Sequence, residues 1–283
     1  MARLVAAREL GDRLRTWDVA TGPAILEIAW ERAADAQPVI PGARRVDWQA
    51  LLWDDRARQL ATGEQLVARL AQLGIRADEA LVVSGAPVQF GAYAAWALET
   101  AGHPDVVLLD GGRDAWIAAG LPLAREEVRR PSVEVTGRGW GTPRTDHPER
   151  VDRDEVRAAL DSDAVQLVDL RSHEEFLGLR VSPPEFAVDH GAAVAGHLPG
   201  ATHLPHTELL DRCGRFLPAP ALRRRLADAG VDPALPVITY CRLGHRAALG
   251  WYALRHVLGA PDVRVYEGSW TEWGSLVGAA VER

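Results

Sequence analysis

Along the chain, short runs rich in β-branched residues alternate with longer amphipathic stretches, and the alternation occurs in both halves. This pattern predicts an α/β organisation, with parallel strands joined by helices. In the second half the strand-like runs are "VQLVDL" at 165–170, "PVITY" at 236–240 and "VRVY" at 263–266. After "PVITY", the residues Ala247, Ala248, Leu249, Trp251, Tyr252, Leu254, Val257 and Leu258 cover much of a helix circumference. Gly259 followed by Pro261 marks its end. A helix apolar on most sides is a buried one.

Sliding the chain against itself exposes a repeat. "GHPDVVLLDGGRDAW" at 102–116 lies over "GAPDVRVYEGSWTEW" at 259–273 with six identities and an offset of 157. "IPGARRVDWQALL" at 40–52 matches "LPGATHLPHTELL" at 198–210, and "RLAQLGI" matches "RLADAGV", at offsets of 158 and 156. Repeat units of solenoids are about 20–50 residues long, so a period this large indicates duplication of a whole domain. We expect one domain over residues 1–124, an exposed Gly-, Pro- and charge-rich linker over 125–150, and a second domain over 151–283.

Composition narrows the chemistry. The net charge of −7 and the absence of any basic run beyond Arg223–Arg225 argue against nucleic-acid or membrane partners. The chain contains no lysine, which excludes a Walker phosphate loop, a pyridoxal Schiff base and a Ser-Lys hydrolase. No apolar run is long enough for a membrane helix, and "MARLVAARELGDRLRTW" has charges where a signal peptide needs an apolar segment, so a cytoplasmic location is expected. Two cysteines, Cys213 and Cys241, are too few for a disulfide framework and fit a reducing compartment.

Cys241 stands just past a strand and a few residues before a helix, where open α/β sheets place ligands. Backbone N–H groups of such a loop and of the first helical turn lack carbonyl partners and point inward, so they favour a thiolate. Arg242 and Arg246 add positive charge, and Gly244 permits a left-handed turn. The arrangement suits an anionic sulfur nucleophile and an anionic substrate. At the repeat offset the first half has Ser84, Pro87 and Gln89 in place of Cys241, Gly244 and Arg246, so only the second site is expected to be active.

These residues resemble the tandem-domain rhodaneses, the thiosulfate and mercaptopyruvate sulfurtransferases. The resemblance rests on "DLRSHEEFLG" at 169–178, "GHLPGATHLP" at 196–205, the loop "CRLGHR", "YEGSWTEWGS" at 266–275 and the first-half "LDGGRDAW". It implies two rhodanese-like α/β domains, each a mostly parallel sheet flanked by helices. It also implies transfer of a sulfane sulfur from thiosulfate through a persulfide on Cys241 to cyanide or a thiol, without metal or organic cofactor. On this reading Arg242, Leu243, Gly244, His245 and Arg246 line the substrate site, and Asp169 and Arg171 orient the loop. The chain departs from the family pattern at Glu175, which stands where many members have a substrate-holding arginine. Arg180 or Arg171 is the expected substitute, while Arg171 also reads as a surface ion-pair partner and Asp169 as a helix cap.

Other candidates carry weaker signals. Cys213 lacks a strand-to-helix setting, and His203 and His206 are interrupted by proline with no third ligand in place. His197 and His203 read as structural residues of the "GHLPGATHLP" turn. A mercaptopyruvate sulfurtransferase uses the same cysteine, but its loop tends to be small and neutral. A cysteine phosphatase of this type has C-x5-R, one residue longer than the loop here. A non-catalytic sulfur carrier is the third alternative.

Overall fold

Strand order repeats between the halves of the chain. The computed structural model describes residues 3–17, 22–30, 38–125, 148–162, 164–185 and 188–283. They fall into two compact units, the first up to His147 together with Arg212–Arg215 and the second over Pro148–Asp211 and Phe216–Arg283. The first sheet contains β1 (Leu4–Val5), β2 (Ala24–Ala29) and β3 (Ala43–Asp47). A small antiparallel pair, β4 (Trp53–Asp54) and β5 (Gln59–Leu60), precedes its last strands, β6 (Leu81–Ala86) and β7 (Val106–Leu109). Its order is β1-β7-β6-β2-β3, parallel throughout.

The second sheet contains β8 (Arg150–Val151), β9 (Gln166–Asp169), β10 (Thr202–His203), β11 (Val237–Tyr240) and β12 (Val263–Tyr266). Its order, β8-β12-β11-β9-β10, is that of the first sheet, again parallel. The predicted parallel α/β architecture is therefore observed in both halves. Of the linker expected over 125–150, residues 126–147 lie outside the described residues, and Arg150 already belongs to β8.

Among the described residues ten α-helices connect and cover the strands: α1 (Ala7–Leu14), α2 (Trp48–Leu52), α3 (Gly63–Gln72), α4 (Val88–Thr100) and α5 (Gly112–Ala118) in the first unit, and α6 (Arg153–Leu160), α7 (His173–Phe176), α8 (Ala219–Ala229), α9 (His245–Tyr252) and α10 (Ser269–Trp273) in the second. The repeat offset of 157 holds for the starts of α4 and α9, of β7 and β12, and of α5 and α10. Residues 170–201, which join β9 to β10, include α7, while residues 31–37 of the shorter β2–β3 connection lie outside the described residues.

Central strands are apolar along their length because both faces are covered, and every residue of β2 and of β11 is buried. In the second unit Val156, Leu167, Leu198, Ile238, Tyr240, Tyr266, Trp270 and Trp273 share one core. Buried tryptophans of the second unit satisfy their polar ends, as burial demands. Trp251 Nε1 donates to Val263 O at 3.1 Å, Trp270 Nε1 to Val194 O at 2.9 Å and Trp273 Nε1 to Ala280 O at 2.9 Å. All eight residues of α9 are buried, and the helix continues as a π-turn over Ala253–Val257 before Gly259 ends it with φ of +73°. Among the described residues no helix is long and apolar enough to cross a membrane.

Candidate active site

β11 ends at Tyr240 and α9 begins at His245, so Cys241 to Gly244 form the turn between a central strand and a buried helix. Gly244 caps α9 with φ of +93°, a conformation costly for any residue with a Cβ. That turn brings the Gly244 N–H within 3.1 Å of Cys241 Sγ, to which it donates. Cys241 as a residue is 1% exposed. The base of the loop is tied to α10: Cys241 N–H donates to Ser269 Oγ at 3.2 Å, and Cys241 O and Arg242 O accept from the N–H groups of Trp270 and Thr271. Ser269 holds this place with φ of +51°, rare outside glycine, while its hydroxyl donates to Tyr266 O at 2.8 Å.

The loop arginines are not placed as two free cations. Arg246 Nη1 and Nη2 donate to Glu175 Oε2 and Oε1 at 2.6 and 2.8 Å, a bidentate pair with side chains 9% and 0% exposed. Burial opposes charge on both groups. Their mutual bonds outweigh it, holding the carboxyl below its usual range and the guanidinium well above its own. Removing one partner of such a pair costs about 3–5 kcal/mol, because the other is left charged and buried. The residue that seemed only to interrupt the family's pattern is thus the counterion of the loop's second arginine.

Arg242 is also buried, and its Nη2 donates to His190 O at 2.9 Å. Gly191 makes room for it, since a Cβ there would meet the guanidinium at 2.7 Å. Burial lowers the Arg242 pKa, and among the charges acting on it Glu175 is the largest. His245 is buried inside the loop, where desolvation and then the charges of Arg246 and Arg242 push its pKa down to about 3. His206, half-buried, is lowered to about 4 by desolvation and then by Arg246. Both rings are neutral at physiological pH. Leu243 occupies the loop beside them and is half-buried.

Asp169 and Arg171 form a frame beneath the loop, and neither side chain is exposed. Arg171 Nη2 donates to Asp169 Oδ2 at 2.6 Å and to Gly196 O at 2.7 Å, and its guanidinium lies 4.6 Å from the Trp270 ring centroid. The alternative of a surface ion pair for Arg171 is therefore incorrect, because burial against Trp270 and Tyr240 leaves it no solvent face. Nor does Asp169 cap a helix: Ser172 caps α7 and shares a capping box with Glu175. His197 and His203 stack on Phe176 and hydrogen-bond to Phe176 O and Arg171 O. Arg180 bonds to Pro184 O and Ser182 Oγ and lies 3.9 Å from Asp189. These contacts fall within residues 180–189 and none involves the loop. Cys213 is half-buried.

A cavity of about 590 Å³ opens among Val194, Leu276, Val277 and Val281, and no residue lining it belongs to the 241–246 loop. The candidate site is therefore identified by its chemistry. Among the described residues no cluster of His, Cys, Asp and Glu has the arrangement of a metal site.

The corresponding place in the first unit is closed. Ser84 lies within β6, fully buried, and in register with Glu27 of β2. The backbones of Gly85, Gly91 and Gly112 meet there, and a Cβ on Gly85 would collide with Gly91 and one on Gly112 with Gly85. Pro87 precedes α4 with φ of −77°, so the left-handed turn made by Gly244 is absent.

Comparison with known proteins agrees with this geometry. The rhodanese-like domain model matches residues 21–119 and again residues 152–276. The chain is 41% identical over 243 residues to a Mycobacterium bovis protein named "Putative thiosulfate sulfurtransferase SseA", covering 84% of this chain and 77% of that one. It is 35% identical over 248 residues to "Sulfur carrier protein TtuD" of Thermus thermophilus, covering 86% and 85%. Among solved structures, the anaerobic ergothioneine biosynthesis enzyme of Chlorobium limicola superposes with a TM-score of 0.82 at 25% identity, over 99% of this chain and 70% of that one. With two matched domains in the order the duplicated sheets require, the chain belongs to the rhodanese-like domain family.

Proposed function

We propose that the protein is a cytoplasmic sulfurtransferase that carries sulfane sulfur as a persulfide on Cys241, with thiosulfate as donor and cyanide or a thiol as acceptor. The carrying observation is the Gly244 N–H donated to Cys241 Sγ at the entry of α9, a position that stabilises negative sulfur. Thiolate attack on the outer sulfur of thiosulfate forms the S–S bond of the persulfide and breaks the S–S bond of the donor. The bonding pair leaves with sulfite. Attack by cyanide on the outer persulfide sulfur then forms thiocyanate and returns the thiolate. Both steps conserve charge without metal or redox cofactor, and the Gly244 N–H faces negative sulfur in each.

Thiosulfate as donor is supported by the names of relatives at 36–41% identity. Two unpaired loop arginines no longer support it, since Arg246 is neutralised by Glu175. Mercaptopyruvate is the alternative donor. The assay that separates them measures sulfite release from thiosulfate and pyruvate release from mercaptopyruvate, each with cyanide as acceptor. A higher kcat/KM for thiosulfate is expected, and pyruvate release alone overturns the donor assignment. The TtuD relative favours a second reading, in which the persulfide passes to a protein thiol. Slow turnover with cyanide but stoichiometric persulfide formation distinguishes it.

A further inference from the structure

Glu175 engages the second loop arginine with both of its carboxylate oxygens. Its two carboxylate oxygens take both Nη groups of Arg246, and Oε2 also accepts the Ser172 N–H at 3.0 Å. It is fully buried, so its charge is little screened by solvent. It lies in the connection from β9 to β10, and its capping box fixes α7 and hence its own position.

We propose that Glu175 determines donor specificity: by neutralising Arg246 it removes one of the loop's two positive charges and weakens binding of doubly charged donors and products relative to singly charged ones. The inference rests on the persulfide reading of Cys241 and deepens it. A dianion such as thiosulfate, or sulfite as leaving product, gains twice the Coulomb energy from an added cation that a monoanion such as mercaptopyruvate gains. A loop carrying two uncompensated arginines would hold sulfite tightly after transfer. Glu175 gives up donor affinity and speeds release of the dianionic product.

The test compares Glu175→Gln, Arg246→Gln and the double variant by the ratio of kcat/KM for thiosulfate to that for mercaptopyruvate, with sulfite inhibition measured alongside. Gln keeps the shape of Glu175 and an acceptor for the Ser172 N–H. In Glu175→Gln the ratio should rise about tenfold, with KM for thiosulfate and the inhibition constant of sulfite both falling and a steeper dependence on salt. The double variant should return within about threefold of the native ratio, since it removes both charges together. An unchanged ratio in Glu175→Gln overturns the proposal, because a structural role alone depresses both donors equally. If Glu175→Gln does not fold, the double variant decides: a tenfold fall in its ratio shows that the Arg246 charge acts on donor in the native protein and overturns the proposal. Absence of persulfide on the native enzyme with either donor would instead refute the functional reading.

Discussion

The Ser269 hydroxyl accepts the Cys241 backbone N–H at 3.2 Å from a residue whose own φ is +51°. One side chain therefore fixes the Cys241 backbone at the expense of strain in the turn that begins α10. Ser269→Ala removes that acceptor and the bond to Tyr266 O, and should destabilise the second unit by about 1–3 kcal/mol. Ser269→Gly loses the same bonds but relieves the left-handed backbone, so it should be more stable than the Ala variant by about 1 kcal/mol. Both should slow single-turnover sulfite release by about tenfold, because both free the loop. Urea unfolding together with rapid-quench sulfite measurement checks the pair.

Histidines whose pKa the fold lowers set an acid limit on stability. His245 is lowered to about 3 and His206 and His103 to about 4, each mainly by burial, against about 6.5 in an unfolded chain. Between these values the unfolded state binds more protons than the folded one. Stability is therefore fully present above pH about 6.5 and falls as pH drops below it, by about 1.4 kcal/mol per pH unit for each histidine. Urea midpoints measured from pH 7 to pH 5 should show this decline, and His245→Gln should flatten it by one histidine's share. A midpoint constant down to the carboxylate range contradicts the assignment.

Restoring a thiol to the first unit should not restore chemistry. Ser84 is enclosed in β6 where the Gly85, Gly91 and Gly112 backbones touch, and Pro87 holds the residue before α4 away from the turn that Gly244 makes. Ser84→Cys in a Cys241→Ser background should leave thiosulfate–cyanide turnover at background. Activity above it would show that the thiol alone was missing.

How much of this was legible in the sequence follows from the range of each interaction. β11, α9 and the loop between them were readable because an apolar strand, a helical period and Gly259 are local signals. The duplication was readable from the constant offset, and the two sheets reproduce it strand for strand. The Glu175–Arg246 pair spans 71 residues, and no local pattern announces it. Its one local trace is the Ser172-x-x-Glu175 capping box, which fixes the acid without naming its partner. Ser269 was hidden for the opposite reason: a non-glycine residue at positive φ contradicts local preference and persists only because Cys241 and Tyr266 hold its hydroxyl. The π-turn after α9 likewise leaves no mark in an apolar period that runs on unbroken to Leu258.

The central claim, that Cys241 carries the transferred sulfur, is tested most directly by intact-mass measurement after treatment with thiosulfate. Cys241 receives the Gly244 N–H on its sulfur at the entry of α9, whereas Cys213 sits half-buried outside any strand-to-helix turn. The native protein and Cys213→Ser should each gain one sulfur, removable by cyanide, and Cys241→Ser should gain none. A sulfur retained in Cys241→Ser and lost in Cys213→Ser would contradict the account.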